Sequence, residues 1–287
     1  MFAIMMIKDL YRNFLVQLQN IYSLSEATAV TDWVFEKMAS LNRSDILRNP
    51  EKLITPAADN LIQKSLQELL LHKPVQYVLG EAWFYNMKLK VNEHVLIPRP
   101  ETEELVEQLI KDRKSKLTDP VILDIGTGSG CIPIAIKKKL PASRVTGIDV
   151  SKPALELAKE NAALYNAHIS FIELDFLDDT TWPSLPLFDI IISNPPYIPL
   201  KEKALLDKHV SGFEPHLALF VPDKSPLIFY EKIAAFGITH LLPNGKIYLE
   251  THEAFAQETA NLFRNYYHTV LVQKDINGKD RMLLITA

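Results

Sequence analysis

The chain has 287 residues, enough for one large domain or two unequal ones. Its 47% hydrophobic and 23% charged content excludes a disordered tail, a collagen-like repeat and a coiled-coil rod. A net charge of −4 disfavours a chain devoted to gripping phosphate backbones, one cysteine (Cys131) excludes an internal disulfide or a multi-cysteine zinc site, and no apolar run approaches the ~18 residues that span a bilayer.

Residues 1–73 read as helices. Leu10, Phe14, Leu18 and Ile21 recur at helical spacing. Ser23-Leu24-Ser25-Glu26 has the form of a capping box, and Val30, Trp33, Val34 and Met38 follow it as a core stripe. Thr55-Pro56 opens a further helix whose apolar stripe is Leu61, Ile62, Leu66, Leu69 and Leu70. A small helical domain is expected, with no catalytic signal of its own.

Residues 74–115 change character. QYVLGEAWFYNMKLKVNEHVLIP is aromatic and β-branched, and predicts a hairpin or two short strands as a connector, followed by a helix. The charged run KDRKSK (Lys111 to Lys116) reads as a solvated helix end.

From residue 116 onward strands and helices alternate. VILDI (121–125), SRVTGIDV (143–150), ISFIELDF and FDIIISNPPY (188–197) are strands, and GKIYLE (245–250), HTVLVQ (268–273) and DRMLLIT (280–286) complete the set. Helices are expected near CIPIAIKKKL and KPALELAKENAALYN. This alternation predicts an α/β domain with a doubly wound, mostly parallel sheet of seven strands. KDINGK joins the last two strands as a hairpin, so that edge is expected to be antiparallel.

The chain has only nine glycines, where average usage would place about twenty. Three of them fall within five residues: Gly126-Thr127-Gly128-Ser129-Gly130, between the first strand and the first helix of the alternating region. Asp149 ends the second strand, placed so that a carboxylate there can accept from both hydroxyls of a ribose. The spacing is not the G-x-G-x-x-G of dinucleotide sites, and no Lys-Ser/Thr follows as in a P-loop. The remaining candidate is a nucleoside without a pyrophosphate, such as S-adenosylmethionine. Asp175-Phe176, after the third strand, suits the adenine of the same ligand or else packs as an ordinary strand end.

Asn194-Pro195-Pro196-Tyr197 follows the fourth strand. Two consecutive prolines fix φ and remove two backbone donors, which leaves the Asn194 side-chain oxygen and the Pro195 carbonyl as acceptors. Such a pair suits an NH₂ group, whose two hydrogens it can hold. Tyr197 can stack on a planar group beside it. The expected target is a planar nitrogen, either an amide or an exocyclic amine.

The glycine turn with Asn-Pro-Pro-Tyr resembles class I methyltransferases that modify planar nitrogen. Pro98-Arg99-Pro100-Glu101-Thr102-Glu103 narrows the resemblance to the HemK/PrmC family, the release-factor glutamine methyltransferases. KPVQYVLGEAWFYNMKLKV (73–91) resembles the family's connector, Phe213-Glu214-Pro215 with Ala218-Leu219 its later loop, and Gly278-Lys279-Asp280-Arg281 its terminal hairpin. Glu250-Thr251-His252 departs from it, since the family typically has glycine at the third position. The resemblance implies a Rossmann-like methyltransferase domain over 116–287, preceded by a helical substrate-docking domain over 1–73. It implies methylation of the side-chain amide nitrogen (N5) of glutamine in the Gly-Gly-Gln loop of class 1 release factors. Carried over by position, Gly126, Thr127, Gly128, Ser129, Gly130, Asp149, Phe176 and Asn194 would contact S-adenosylmethionine. Asn194, Pro195, Pro196 and Tyr197 would hold the glutamine, with Asn194 and Pro195 as the catalytic pair.

Other readings stand beside this one. A related enzyme would methylate a ribosomal-protein glutamine, which the Pro-Arg-Pro-Glu-Thr-Glu segment disfavours. A DNA or RNA amino-methyltransferase would use the same motif on a flipped base, against which the charge and the small N-terminal region argue. A nucleoside-binding module or an NAD-dependent dehydrogenase are further alternatives. Arg99 and Glu103 either close over the cofactor or staple the connector. His252-Glu253 reads as a surface pair, and the proline-rich stretch 195–226 as a substrate lip. Cys131 reads as a packed residue, and the eight histidines lack metal-ligand spacing, so no metal is expected. The start, MFAIMMIKDL, is too short and lacks the basic residue of a secretory signal. A cytoplasmic monomer is expected, with no membrane and no direct nucleic-acid partner.

Overall fold

Three of the five described helices of the N-terminal region begin where a side chain satisfies a free backbone N–H group. The computed structural model describes residues 6–113 and 119–287, so Lys114–Lys116 of the charged run lie outside it. Helix α1 (Ile7–Leu18) buries Ile7, Leu10, Phe14 and Leu18. Helix α2 (Leu24–Ala39) opens on the Ser23/Glu26 capping box, with both reciprocal bonds present. Helix α3 (Arg43–Arg48) opens on a second box, Asn42/Asp45. The Thr55 side chain caps α4 (Pro56–Leu70), whose first residue is the proline, and α5 (Val75–Leu79) follows. Their apolar stripes close one core around Phe14, Phe35, Ile62 and Leu69. Trp33 and Leu61, expected in the stripes, are half exposed, because each lies one position off the buried face marked by Val34 and Ile62.

These helices form one unit, residues up to Gly80, which also takes in Asp207–Phe213 from late in the chain. There His209 stacks on Tyr22 and meets His72 edge-on. The second unit is Glu81–Leu206 with Glu214–Ala287. The division therefore differs from the expected boundaries at 73 and 115 in two respects. Residues 75–79 are helical rather than extended and belong to the first unit. The hairpin of β1 (Glu81–Phe84) and β2 (Met87–Lys90) belongs to the second unit rather than standing between the two. Its pinning explains why. The Asn161 side chain accepts from Lys90 N–H and donates to Lys90 O, and the Tyr165 hydroxyl accepts from Lys88 N–H and donates to Lys88 O.

Helix α6 (Pro100–Arg113) leads into the seven-stranded sheet. The strands are β3 (Val121–Ile125), β4 (Arg144–Asp149), β5 (Ser170–Glu173) and β6 (Phe188–Ser193), with a short parallel pair β7 (Ile198–Pro199) and β8 (Phe220–Val221) outside it, then β9 (Leu241–Glu250), β10 (Thr269–Lys274) and β11 (Asp280–Thr286). The order is β10-β11-β9-β6-β3-β4-β5. All pairings from β9 to β5 are parallel, and β11 pairs antiparallel with both β9 and β10, as the KDINGK hairpin predicts. Side chains alternate between faces. Ile122, Ile190, Ile192, Tyr248 and Leu284 pack under α6, α7 (Cys131–Lys139) and α8 (Lys152–Leu164). Leu123, Ile191, Ile247, Leu249 and Leu283 pack under α11 (Ile228–His240) and α12 (Ala256–Arg264). The stretch expected as a lip folds into α9 (Lys208–Phe213), α10 (His216–Leu219) and two short strands, so only part of it stays with the second unit. No helix among the described residues is long and apolar enough to cross a membrane.

Strand order reverses at β3, between β4 and β6, and ligands of open α/β sheets bind beyond the carboxyl ends of strands at such a point. The glycine turn sits there, with Gly126, Gly128 and Gly130 all at positive φ. At Gly130 a Cβ would also lie 3.2 Å from both Ala158 Cβ and Ile134 Cδ1. Gly130→Ala is expected to cost about 1–3 kcal/mol of stability, read from the denaturant midpoint. A midpoint unchanged from the parent would show the turn to be slack.

Candidate active site

Beyond the ends of β3, β4 and β6 lies a cavity of about 310 Å³, within the range of small-molecule sites. Gly126, Gly128, Asp149, Phe176 and Asn194 line it, joined by Asp175 and Pro196. Of the other expected residues, Thr127, Ser129, Gly130, Pro195 and Tyr197 do not face it. The Thr127 hydroxyl packs over Gly147, where a Cβ would come within 2.7 Å of it, and Thr127 and Ser129 are buried behind the turn. Gly130 packs against α8. Phe176 both lines the cavity and stacks on Trp182, so it is a wall residue held by the core. No motif pointed to Glu93, His94, Val95 and Leu96, which form a further wall after the hairpin, nor to Leu217 and Phe229.

The turn is anchored by backbone bonds. Gly126 and Thr127 N–H both donate to Ile148 O, and Gly130 N–H to Thr127 O. Asp149 completes it: one carboxylate oxygen accepts from Gly128 N–H at 2.9 Å and the other from Ser151 N–H at 2.9 Å. Burial raises the Asp149 pKa above the usual carboxylate range, and these amides oppose that shift. Behind the turn, burial pushes Asp124 up to about 7, the Asp149 charge adds to the shift, and the neighbouring Thr127 opposes it. The Asp124 carboxylate and the Thr127 and Ser129 hydroxyls lack well-formed hydrogen bonds. Desolvation also pushes the Cys131 thiol up to about 12, so it is a packed thiol and not a nucleophile.

Asn194 lies at the end of β6, whose last residue, Ser193, donates its hydroxyl to Ile125 O at 2.7 Å. That bond ties the Asn-Pro-Pro-Tyr motif to the strand carrying the glycine turn. The Asn194 Nδ2 donates to Thr102 Oγ1 at 3.0 Å, which leaves Oδ1 free of that contact. The Tyr197 hydroxyl donates to the buried Glu250 carboxylate at 3.1 Å, and its ring meets His252 edge-on. His252 is therefore partly buried against Tyr197 rather than a free surface residue. It sits 3.6 Å from Glu202, while Glu253 pairs with Lys279.

Arg99 is a staple. Its guanidinium pairs with Glu214 at 2.5 Å, and Glu214 also accepts from Ile97 N–H. The Glu214 side chain is only 1% exposed, so removing its cation strands a buried charge. Arg99→Ala is expected to destabilise the protein by about 3 kcal/mol, read by urea unfolding. A loss under about 0.5 kcal/mol would mean that the pair contributes no more than an exposed one. Glu103 makes no contact with the cavity.

The family model for the PrmC N-terminal domain matches residues 9–80, and that for the methyltransferase small domain matches 100–210. A release factor glutamine methyltransferase of Flavobacterium psychrophilum is 41% identical over 98% of this chain and 99% of its own. One of Bacteroides thetaiotaomicron is 38% identical over 93% and 95%. Among solved structures, the T. thermophilus 16S rRNA N2 G1207 methyltransferase in complex with AdoMet and guanosine superposes with a TM-score of 0.50 at 16% identity, over 72% of this chain and 49% of that one.

Proposed function

This chain belongs to the release factor glutamine methyltransferase family, and from that premise we propose that it methylates the side-chain amide nitrogen of the glutamine in the Gly-Gly-Gln motif of class 1 peptide chain release factors. The methyl donor is S-adenosylmethionine. The observation that carries the reading is Asn194 in the wall of a nucleoside-sized cavity, its Nδ2 taken up by Thr102 so that the amide oxygen is left for a substrate.

The residues present fit the donor. The cavity wall is largely apolar, and the Asp149 carboxylate stands at the end of β4, where it can accept from the two ribose hydroxyls. Gly126 and Gly128 allow close approach of a ligand to backbone, since no Cβ stands there. Asp175 and Phe176, which also line the cavity, would take the base. When bound, the group supplies an electrophilic methyl on a positively charged sulfur.

The chain's own contribution is orientation. An amide nitrogen is a weak nucleophile because its lone pair is delocalised into the carbonyl. Asn194 Oδ1 and Pro195 O accept its two hydrogens, which favours electron density on nitrogen and aims the lone pair along one line. Orientation of this kind can contribute up to ~7–11 kcal/mol. Asn194 is well suited to it, since its carbonyl oxygen has no competing partner in the motif. No side chain at the motif is placed as a general base, and the proton lost after transfer passes to water. The enzyme works as a cytoplasmic monomer that needs neither metal nor nucleic acid.

Labelled S-adenosylmethionine, offered with a class 1 release factor, its Gly-Gly-Ala version, ribosomal proteins and unmethylated DNA, tests the reading. Label is expected in the intact release factor alone, at the glutamine nitrogen. Label in the Gly-Gly-Ala version, in DNA or in a ribosomal protein instead would overturn it.

A further inference from the structure

Three side chains, Thr102, Asn194 and Tyr197, connect both ends of the Asn-Pro-Pro-Tyr motif to one buried carboxylate. Thr102, in the first turn of α6, donates its hydroxyl to Glu250 Oε2 at 2.6 Å, although the two lie 148 residues apart. Tyr197 donates its hydroxyl to the other oxygen, Glu250 Oε1, at 3.1 Å. Asn194 donates its Nδ2 to Thr102 Oγ1 at 3.0 Å. Glu250 itself ends β9 and is 2% exposed, with its backbone carbonyl held by the Tyr230 hydroxyl at 3.0 Å.

The direction of every proton in this chain follows from chemistry. A carboxylate only accepts, so Thr102 must donate to Glu250. A hydroxyl has one hydrogen, so Thr102 must then accept from Asn194. Of the two ends of the Asn194 amide only the NH₂ can donate, so it turns toward Thr102 and the oxygen is left to face the cavity that Asn194 lines. Without this ordering, an asparagine amide can present either end at nearly equal shape. The wrong end would set two NH₂ groups against each other.

We propose that Glu250 and Thr102 are positioning residues for the transfer: through Thr102, the Glu250 carboxylate fixes the Asn194 oxygen toward the substrate amide, and through the Tyr197 hydroxyl it fixes the other end of the motif. The inference rests on the functional reading above for the identity of the amide, but the hydrogen-bond order stands on the geometry alone. Burial raises the Glu250 pKa, and the hydroxyls of Thr102 and Tyr197 and the charge of Arg281 oppose it in favour of the ionised form, while Glu101 adds to the rise.

The test uses the full chain with Thr102→Val, Thr102→Ser and Glu250→Gln. Thr102→Val keeps the shape and removes the hydroxyl. Its kcat on the release factor is expected to fall by about 10–100-fold, with the KM for the release factor and the Kd for S-adenosylmethionine changed by less than about threefold. Thr102→Ser restores the hydroxyl and is expected to keep kcat within about threefold of the parent. Glu250→Gln can donate as well as accept, so its kcat should fall between the two. Full activity in Thr102→Val, or a serine variant as slow as the valine one, overturns the proposal. A readout independent of turnover is the side-chain NH₂ pair of Asn194 in a ¹⁵N correlation spectrum, assigned by its absence in Asn194→Asp. In the parent it should be protected from solvent exchange, and free exchange there overturns the proposal even if Thr102→Val fails to fold. A parent protein that shows the protected pair yet labels no release factor supports the hydrogen-bond order and overturns the assigned substrate instead.

Discussion

Asn194→Ala is expected to lower kcat for release factor methylation by about 10²–10³-fold, the largest effect of any single substitution at the motif. The alanine removes one of two acceptors for the substrate NH₂ and with it the constraint on the nitrogen lone pair. The backbone at this position should survive the change. Ser193 still ties the strand end to Ile125, and the two prolines still fix the turn that follows. Affinity for S-adenosylmethionine should therefore change by no more than about tenfold, the scale of one hydrogen bond to a neutral group. Single-turnover transfer with labelled cofactor, run beside a melting curve, separates the two quantities. A variant that folds, binds cofactor and transfers at the parent rate would remove Asn194 from the mechanism.

Asp149→Ala should act on the other half of the site. A carboxylate that accepts from two ribose hydroxyls supplies charge-assisted bonds of roughly 1.5 kcal/mol or more each. Losing both is expected to raise the Kd for S-adenosylmethionine by about 10²-fold. The same substitution leaves Gly128 N–H and Ser151 N–H without their acceptor, so the turn that cradles the ligand also loosens. Calorimetric titration of cofactor measures the sum. A Kd within threefold of the parent would show that the ribose lies elsewhere, and would move the cofactor away from the β3–β4 end of the sheet.

The motifs that carry this site were legible because each is local. Three glycines in five residues, all at positive φ, needed no partner from elsewhere to announce a turn. The Asn-Pro-Pro-Tyr run carried its acceptors and its rigidity within four residues. The strands of the sheet were legible by their apolar runs and the antiparallel edge by a short turn, because those signals span ten residues or fewer. The helix starts at Ser23 and Thr55 were equally local, since a cap bonds to an amide three residues on.

What the sequence could not show depends on residues far apart. His252 read as a surface pair because Glu253 stands next to it, whereas folding sets it against Tyr197 and Glu202. Residues 75–79 read as extended because their composition is β-like, but flanked by Pro74 and by Gly80 in the left-handed region they close one helical turn and bury Val75 and Tyr77. Residues 207–213 join a unit that the chain left more than a hundred residues earlier. The same limit applies to the site. The amino-acid order determined the doubly wound class of the fold, the turn at the end of β3 and the rigid Asn-Pro-Pro-Tyr run at the end of β6. Only the tertiary structure decided which way Asn194 faces, because its orientation is set by a hydroxyl from α6 and a carboxylate from β9. A hydrogen bond is made by distance in space, and separation along the chain carries no trace of it.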